Sequence, residues 1–366
     1  MKLALLGDMA FIGQSSTSNK NYKNYFSEVS DLLGKYDYVV GNLESPFSVK
    51  KKTHGAKSAY ICASPNNIDI IKMLHVNALT IANNHMLDYG KEGYELTKSI
   101  LNEAKISWFG ADGKELKVEI DDNRLAFSGW CCYSSNPQGC VKNGKNGINE
   151  FDLKTVVNNL IKNHNDNRLN IAAIHTGIEH VNFPSLELRE VTKVMAETCP
   201  IIFYGHHPHV AQPIERKGDS IIAYSMGNFC FDNIYAKPTD KKPFVSLSEN
   251  NRSSFVMVVD IEKNRIKGYD IIPIYIDKDK IKVGVGVTKE KLDNYLSMML
   301  TMNEIEYEAM RLRQRKDWID TRQKERNITW YIKRMRPRYM KLLITNHENQ
   351  KKYYQCITSQ LKKNEL

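Results

Sequence analysis

Five short apolar runs, each leading into a side chain of metal-binding type, set the tightest limit on how this 366-residue chain can fold. Leu3–Gly7 precedes Asp8, Tyr38–Leu43 precedes Glu44, and Leu79–Asn83 precedes Asn84 and His85. Ile171–Ile174 precedes His175, and Ile201–Gly205 precedes His206-His207-Pro208-His209. A short run rich in Val, Ile and Leu, bounded by Gly or Asn, predicts a buried strand. In an α/β sheet, ligands bind outside the carboxyl ends of such strands. A single Asp after a strand is ordinarily a cap or turn residue. Five metal-type side chains at five strand ends predict one shared site.

Between these runs lie segments with helical spacing, which makes the chain α/β and layered. Helices are expected over Tyr22–Leu33, from Pro65 to Leu74, and over Lys91–Ala104, Asp152–Asn163 and Ser185–Thr198. Further strands are expected at Ser107–Phe109, Val118–Ile120, Leu125–Gly129, Ser220–Ser225, Ser254–Ile261 and Arg265–Ile276, the last two joined by a hairpin at Lys263-Asn264. The Lys50–Lys57 stretch and the Gly/Asn-rich Ser134–Asn149 stretch read as loops, the latter as a surface loop or lid. Strand signals stop near residue 286. The expected organisation is therefore a domain over 1–286 and a helical, basic C-terminal extension over 287–366.

The charge follows that division. The chain carries a net +10, but residues 311–366 hold 16 Lys and Arg against 5 Asp and Glu, or +11, so residues 1–310 sum to −1. The basic extension interleaves Leu312, Trp318, Ile319, Trp330, Tyr331 and Tyr339 with its cations, and Pro337 argues against one unbroken helix. Three roles fit it: packing on the body or another subunit, lying on an anionic membrane surface or an acidic polymer, or, least favoured, binding nucleic acid. Neither a secretory signal nor a membrane span is legible, so a cytoplasmic location, peripheral to the inner membrane face at most, is expected. Seven cysteines in no metal-type spacing are expected to be reduced thiols.

Carboxylate, amide and imidazole donors together suit Mn²⁺, Fe²⁺ or Zn²⁺ better than Ca²⁺ or a thiolate-bound metal. Asp8 supplies a charged ligand, Glu44 can bridge two ions, Asn84 offers its carbonyl oxygen, and His175, His207 and His209 complete the set. In an extended segment alternate residues project to one side, so His207 and His209 are expected to share a face, stiffened by Pro208. His85 is the expected general acid, with Asp88 three residues on to orient it. Glu179 and His180 follow His175 at one-turn spacing and are expected to support the site or face the substrate. The Ser225–Asn228 turn is expected to support the site.

These residues resemble motifs of the CapA family, named for a poly-γ-glutamate capsule protein, within the calcineurin-like metallophosphoesterases. The motifs are Gly7-Asp8, Gly41-Asn42-Leu43-Glu44, Ala82-Asn83-Asn84-His85 with Asp88-Tyr89-Gly90, His175-Thr176-Gly177-Ile178-Glu179-His180, Gly205-His206-His207-Pro208-His209-Val210 with Gln212, and Tyr224-Ser225-Met226-Gly227-Asn228-Phe229. They cover roughly residues 1–232 in the family's order. The resemblance implies a four-layer α/β/β/α sandwich, with metal ligands at Asp8, Glu44, Asn84, His175, His207 and His209. His85 and Asp88 would be catalytic, and Asn42, Glu179, His206 and Asn228 would stand around the metals or the substrate. Where the superfamily places a second His, two residues after its first Asp, this chain has Ala10, and that shell would be weaker or completed by water, His206 or Glu179.

The implied function is a phosphoesterase-like hydrolase of capsule or surface-polymer biosynthesis. It would use two divalent ions, manganese before iron or zinc, on an anionic polymer or a phosphorylated small molecule. Two alternatives stand beside it: a non-catalytic polymer-binding accessory of an assembly complex, and an enzyme acting on the amide bonds of poly-γ-glutamate.

Overall fold

Alternation within the apolar runs decides the layering. The computed structural model describes residues 1–49, 59–132, 140–141, 147–235, 242–324 and 361. The chain begins with β1 (Lys2–Met9), α1 (Tyr22–Tyr25), α2 (Ser27–Leu33), β2 (Tyr38–Leu43), α3 (Ile68–Met73), β3 (Ala78–Thr80), α4 (Gly90–Glu103) and β4 (Ser107–Phe109). There follow β5 (Leu116–Ile120), β6 (Asn123–Cys131), a short pair β7 (Cys140–Val141) and β8 (Ile148–Asn149), α5 (Leu153–Asn165), β9 (Leu169–His175), α6 (Leu186–Thr198) and β10 (Ile201–His206). The rest comprises β11 (Ile214–Lys217), β12 (Ser220–Ala223), β13 (Asn228–Cys230), α7 (Glu249–Arg252), β14 (Ser253–Glu262), β15 (Arg265–Ile276), β16 (Ile281–Val283), α8 (Lys289–Thr301) and α9 (Glu304–Lys324).

These strands form two main sheets. One is ordered β16-β15-β14-β1-β2-β3-β4, with β13 also pairing β1; the other is ordered β11-β12-β10-β9-β6-β5. Side chains alternate across a strand. Leu3 and Leu5 of β1 therefore join Ile171 and Ala173 of β9, and Ile202 and Tyr204 of β10, in a core between the sheets. Ala4 and Leu6 turn the other way, onto Tyr25, Val29, Leu33, Ile70 and Leu101 of the helices flanking the first sheet. Ala172, Ile174, Ile201 and Phe203 likewise turn outward onto Val156, Leu160, Leu188 and Met195 of α5 and α6. Helix, sheet, sheet, helix is the four-layer α/β/β/α sandwich. Fully burying each Leu, Ile, Val, Phe or Met among these contributes roughly 1.5–3 kcal/mol, so both faces of both sheets stabilise the fold.

Local chemistry marks where elements start. Asp152, Ser185 and Thr288 each accept a hydrogen bond from a backbone N–H in the first turn of α5, α6 and α8, an N-cap worth about 1 kcal/mol apiece. Lys263 and Asn264 both have positive φ, as the tight hairpin between β14 and β15 requires. The Tyr22–Leu33 segment differs from the single expected helix: it breaks at Phe26, which puts Tyr25 and Phe26 edge to face in the core with ring centroids 5.1 Å apart. The third strand is also shorter than expected. It ends at Thr80, where the Thr80 hydroxyl accepts from Ala82 N and the chain turns away to form the Asn83–His85 loop.

Helices α8 and α9 pack on the body. Leu292 enters the core between the sheets, while Met299 and Tyr307 enter the outer core beside α5 and α6. Packing, the first of the three roles expected for the extension, thus describes its helical start. No described helix is long and apolar enough to cross a membrane. The Lys50–Lys57 stretch, most of Ser134–Asn149 and all but one residue of 325–366 lie outside the described residues. Among the described residues, Cys62, Cys131, Cys132, Cys199 and Cys230 are free thiols.

Candidate metal centre

The two sheets bring their carboxyl ends to one place. In the first sheet, strand register sets Asp8 level with Asn42 of β2 and Asn228 of β13. In the second, His206 of β10 pairs with His175 of β9. The Ser225–Gly227 turn ties the sheets together there: Met226 N donates to Gly205 O and Asp8 N donates to Gly227 O, at 3.0 and 2.9 Å. Glycine is needed on both sides of this junction. A Cβ on Gly7 would lie 2.1 Å from Gly227 O, and one on Gly205 would lie 2.0 Å from Tyr224 O.

At one end of the cluster three ligand-type atoms converge. Asn84 Oδ1 lies 3.1 Å from His175 Nε2, which lies 3.2 Å from His207 Nδ1. Ligands held at about 2.1 Å from one small divalent ion stand roughly 3.0–3.4 Å apart, so this spacing fits an ion. The fully buried Glu44 brings Oε1 to 4.0 Å from His175 Nε2 and 3.5 Å from His209 Nε2, between the two ends. Asp8, Glu44 and His175 each present one donor atom, all within 4.8 Å of one another.

The other end is built around Asp8, which is fully buried. Its Oδ1 accepts from Asn42 Nδ2 at 2.8 Å and lies 2.8 Å from His206 Nδ1. Its Oδ2 accepts from His207 N at 3.2 Å and lies 3.3 Å from His209 Nδ1. His209 Nδ1 also meets Asn228 Oδ1 at 2.9 Å. His206 thus stands directly against the Asp8 carboxylate.

Environment divides the imidazoles. Burial, reinforced by the neighbouring His207, holds His175 well below the usual histidine range. Burial likewise pushes His207 down to about 4, against the pull of Glu179. Both rings are therefore neutral and keep a lone pair for a metal. For His209 burial acts downward too, but Glu44 and Asp8 override it and lift the ring to about 10. Burial would raise the Asp8 carboxyl, yet His206 and His209 hold it well below its ordinary value.

Beside the cluster, His85 Nδ1 lies 2.6 Å from Asp88 Oδ2, and the buried Asp88 also accepts from Ile61 N at 3.0 Å. The His85 side chain is 12% exposed, and its charge is felt at His207. The sequence reading of His207 and His209 as alternate residues of an extended segment does not hold. Both have left-handed backbone, with φ of 99° and 57°, and their ring centroids lie 6.2 Å apart. Such conformations cost of order 1–3 kcal/mol each in a non-glycine residue, and here they place the two imidazoles. The segment after His175 is likewise a loop, not a helical turn. In it His180 has φ 64°, and Glu179 stands at the rim, 44% exposed.

Two asparagines support the site without having been assigned a role from the sequence. Asn83 Nδ2 donates to Asn42 Oδ1 and Leu43 O, while its Oδ1 accepts from His85 N and Met86 N, so it locks the Asn84–His85 turn to β2. Its place inside the Asn-Asn-His motif was the available signal. Asn251 Nδ2 meets His180 Nδ1 and His209 O, both at 2.9 Å, and its carbonyl accepts from Asn228 Nδ2. Nothing in the sequence around Asn251 marks it.

The fold and site together define a four-layer α/β/β/α protein with carboxylate, amide and imidazole groups gathered at facing strand ends. The chain belongs to the family described as bacterial capsule synthesis protein PGA_cap, which matches residues 2–233. It is 27% identical over 279 residues to the PGA biosynthesis protein CapA of Bacillus subtilis (strain 168), covering 73% of this chain and 70% of that one. It is also 27% identical over 279 residues to the capsule biosynthesis protein CapA of Bacillus anthracis, covering 72% and 67%. Two solved structures are more loosely similar. One is the Haemophilus influenzae NAD nucleotidase, at 12% identity and TM-score 0.39 over 87% of this chain and 60% of that one. The other is the Thermus thermophilus sulfate thiohydrolase SoxB in complex with glycerol, at 11% identity and TM-score 0.42 over 75% and 45%.

Proposed function

We propose that this protein is a metal-dependent hydrolase of capsule or surface-polymer biosynthesis that cleaves a phosphoester or a chemically similar bond. The observation that carries the reading is the His85–Asp88 pair standing beside a buried set of metal-type donors. Asn84, His175 and His207 would hold one divalent ion, Asp8 and His209 a second, with Glu44 between them; manganese suits this donor set, and iron or zinc would also fit. Such ions, when bound, supply Lewis acidity and lower the pKa of coordinated water.

The chain's own groups do the rest. Asp88 holds the His85 ring through Nδ1, and the ring's Nε2 would donate a proton to the departing oxygen. Asn83 holds the turn that carries His85, so the proton donor and the Asn84 ligand move as one unit. Glu179 and His180 at the rim would meet the substrate, an anionic polymer or a phosphorylated small molecule. His85→Ala is expected to lower hydrolysis of phosphomono- or diesters by roughly 10²–10⁴-fold, the usual worth of a general acid, with metal content unchanged. A variant that keeps full activity would remove His85 from the chemistry. Polymer production in cells sustained by that variant would favour the accessory reading, to which the relatives' names, biosynthesis proteins rather than hydrolases, also point.

A further inference from the structure

Helix α9 begins some 70 residues beyond the family match, yet it reaches the site. Four of its residues engage the loop after His175 in reverse order. Tyr307 OH donates to Pro184 O at 2.7 Å, and Arg311 Nε donates to Phe183 O at 3.2 Å. Asn182 N donates to Gln314 Oε1 at 3.0 Å. The Trp318 ring stacks on His180, with centroids 4.3 Å apart and planes at 16°. The spacing 307, 311, 314, 318 is one face of an α-helix, laid antiparallel along residues 180–184.

Hydrophobic capping explains Tyr307, which enters the outer core. It does not explain the next three contacts, which grip backbone and an imidazole. From His180 the connection runs inward by two routes. His180 N donates to Pro208 O at 2.8 Å, between the two site histidines of that segment. His180 Nδ1 meets Asn251 Nδ2, which also donates to His209 O, while the Asn251 carbonyl holds Asn228, the partner of His209 Nδ1. Both His180 and His209 sit in left-handed backbone, which persists only where the surroundings enforce it.

We infer that α9 is a wall of the metal centre and that Trp318 is a positioning residue, acting through His180 and Asn251 on His209. The C-terminal extension then sets the affinity of the His209 end for a divalent ion. This rests on the metal-binding part of the proposed function, and the test separates the two. Full-length chains carrying Trp318→Ala or Trp318→Phe are compared with wild type by histidine-selective NMR of the metal-free protein and by Mn²⁺ titration.

Trp318→Ala is expected to shift the His209 imidazole resonances and to weaken Mn²⁺ binding by about three- to tenfold, less than the 10–100-fold typical of a group touching a ligand directly. Trp318→Phe, which keeps an aromatic face on His180, is expected to restore both. A Trp318→Ala protein that melts earlier but keeps wild-type His209 resonances and Mn²⁺ affinity would show α9 to be packing alone and overturn the inference. Displaced His209 resonances in a chain whose wild type binds no Mn²⁺ would support the wall while removing the metal reading.

Discussion

The two ends of the centre are made of the same kinds of side chain and yet are opposites. At the Asn84–His175–His207 end, burial keeps the two imidazoles neutral at ligand-like spacing beside an amide oxygen, so an ion would meet rings that carry no extra proton. At the Asp8–His206–His209 end, the Asp8 carboxylate lies 2.8 Å from His206 and 3.3 Å from His209, and with Glu44 it lifts His209 to about 10, so an ion would have to displace a proton from His209 before it could bind. The difference teaches that metal affinity depends on the protonation state in which the fold holds its donors, not only on how many there are. It leads to an expectation of unequal sites, the neutral end filling first and the paired end filling as pH rises.

The strongest way to break the comparison is to destroy the junction both ends share. Gly205→Ala drives a Cβ into Tyr224 O, a backbone atom that cannot move aside, and is expected to cost several kcal/mol, about 3 or more. Loss of the cooperative melt would confirm it; a wild-type melting temperature would show that the turn can shift. Next, His175→Ala is expected to remove tight binding altogether, by more than the roughly 10–100-fold that loss of an outer partner costs. His209→Ala should spare the first ion and lose the second. Calorimetric titration with Mn²⁺ reads both, and equal losses would show the ends to be one unit.

The pH dependence sharpens the contrast further. His207, with a folded value of about 4, contributes stability that is present above the unfolded value of about 6.5 and lost as pH falls through 4; His175 acts in the same direction. His209, lifted to about 10, contributes stability that is fully present below about 6.5 and lost as pH rises through 10. The metal-free protein should therefore melt highest between these limbs, and His209→Gln should flatten the alkaline limb while leaving the acid limb intact. A melting temperature that keeps rising from pH 7 to 10 would contradict this. A smaller effect is expected of Asn228→Ala, which removes one hydrogen bond to His209 and one to Asn251 and should cost about 1–3 kcal/mol in thermal melts. Asp152→Ala, an N-cap far from the centre, should cost about 1 kcal/mol and leave Mn²⁺ binding untouched.

What the sequence shows and hides follows from the range of the forces involved. Strand runs such as Leu3–Gly7 and Ile201–Gly205 are legible because alternation and burial are local properties, and metal-type residues at strand ends follow from topology. The left-handed backbone at His207 and His209 was not legible, because it is imposed by Asn228, Asn251 and Pro208 from elsewhere in the chain or from its own turn. Asn251 lies 42 residues from His209 in a four-residue helix, and Trp318 looked like one more apolar residue in a basic stretch. Those contacts exist only after two sheets and α9 have packed.

The most direct measurement is elemental mass spectrometry of untagged protein reconstituted with Mn²⁺ at pH 8, for wild type, His175→Ala and His209→Ala. The expected result is about two ions per chain in wild type, the count of a dinuclear centre, with one remaining in His209→Ala and a greater loss in His175→Ala. No bound metal in the wild type, or equal loss from both variants, would contradict a centre with two unequal ends.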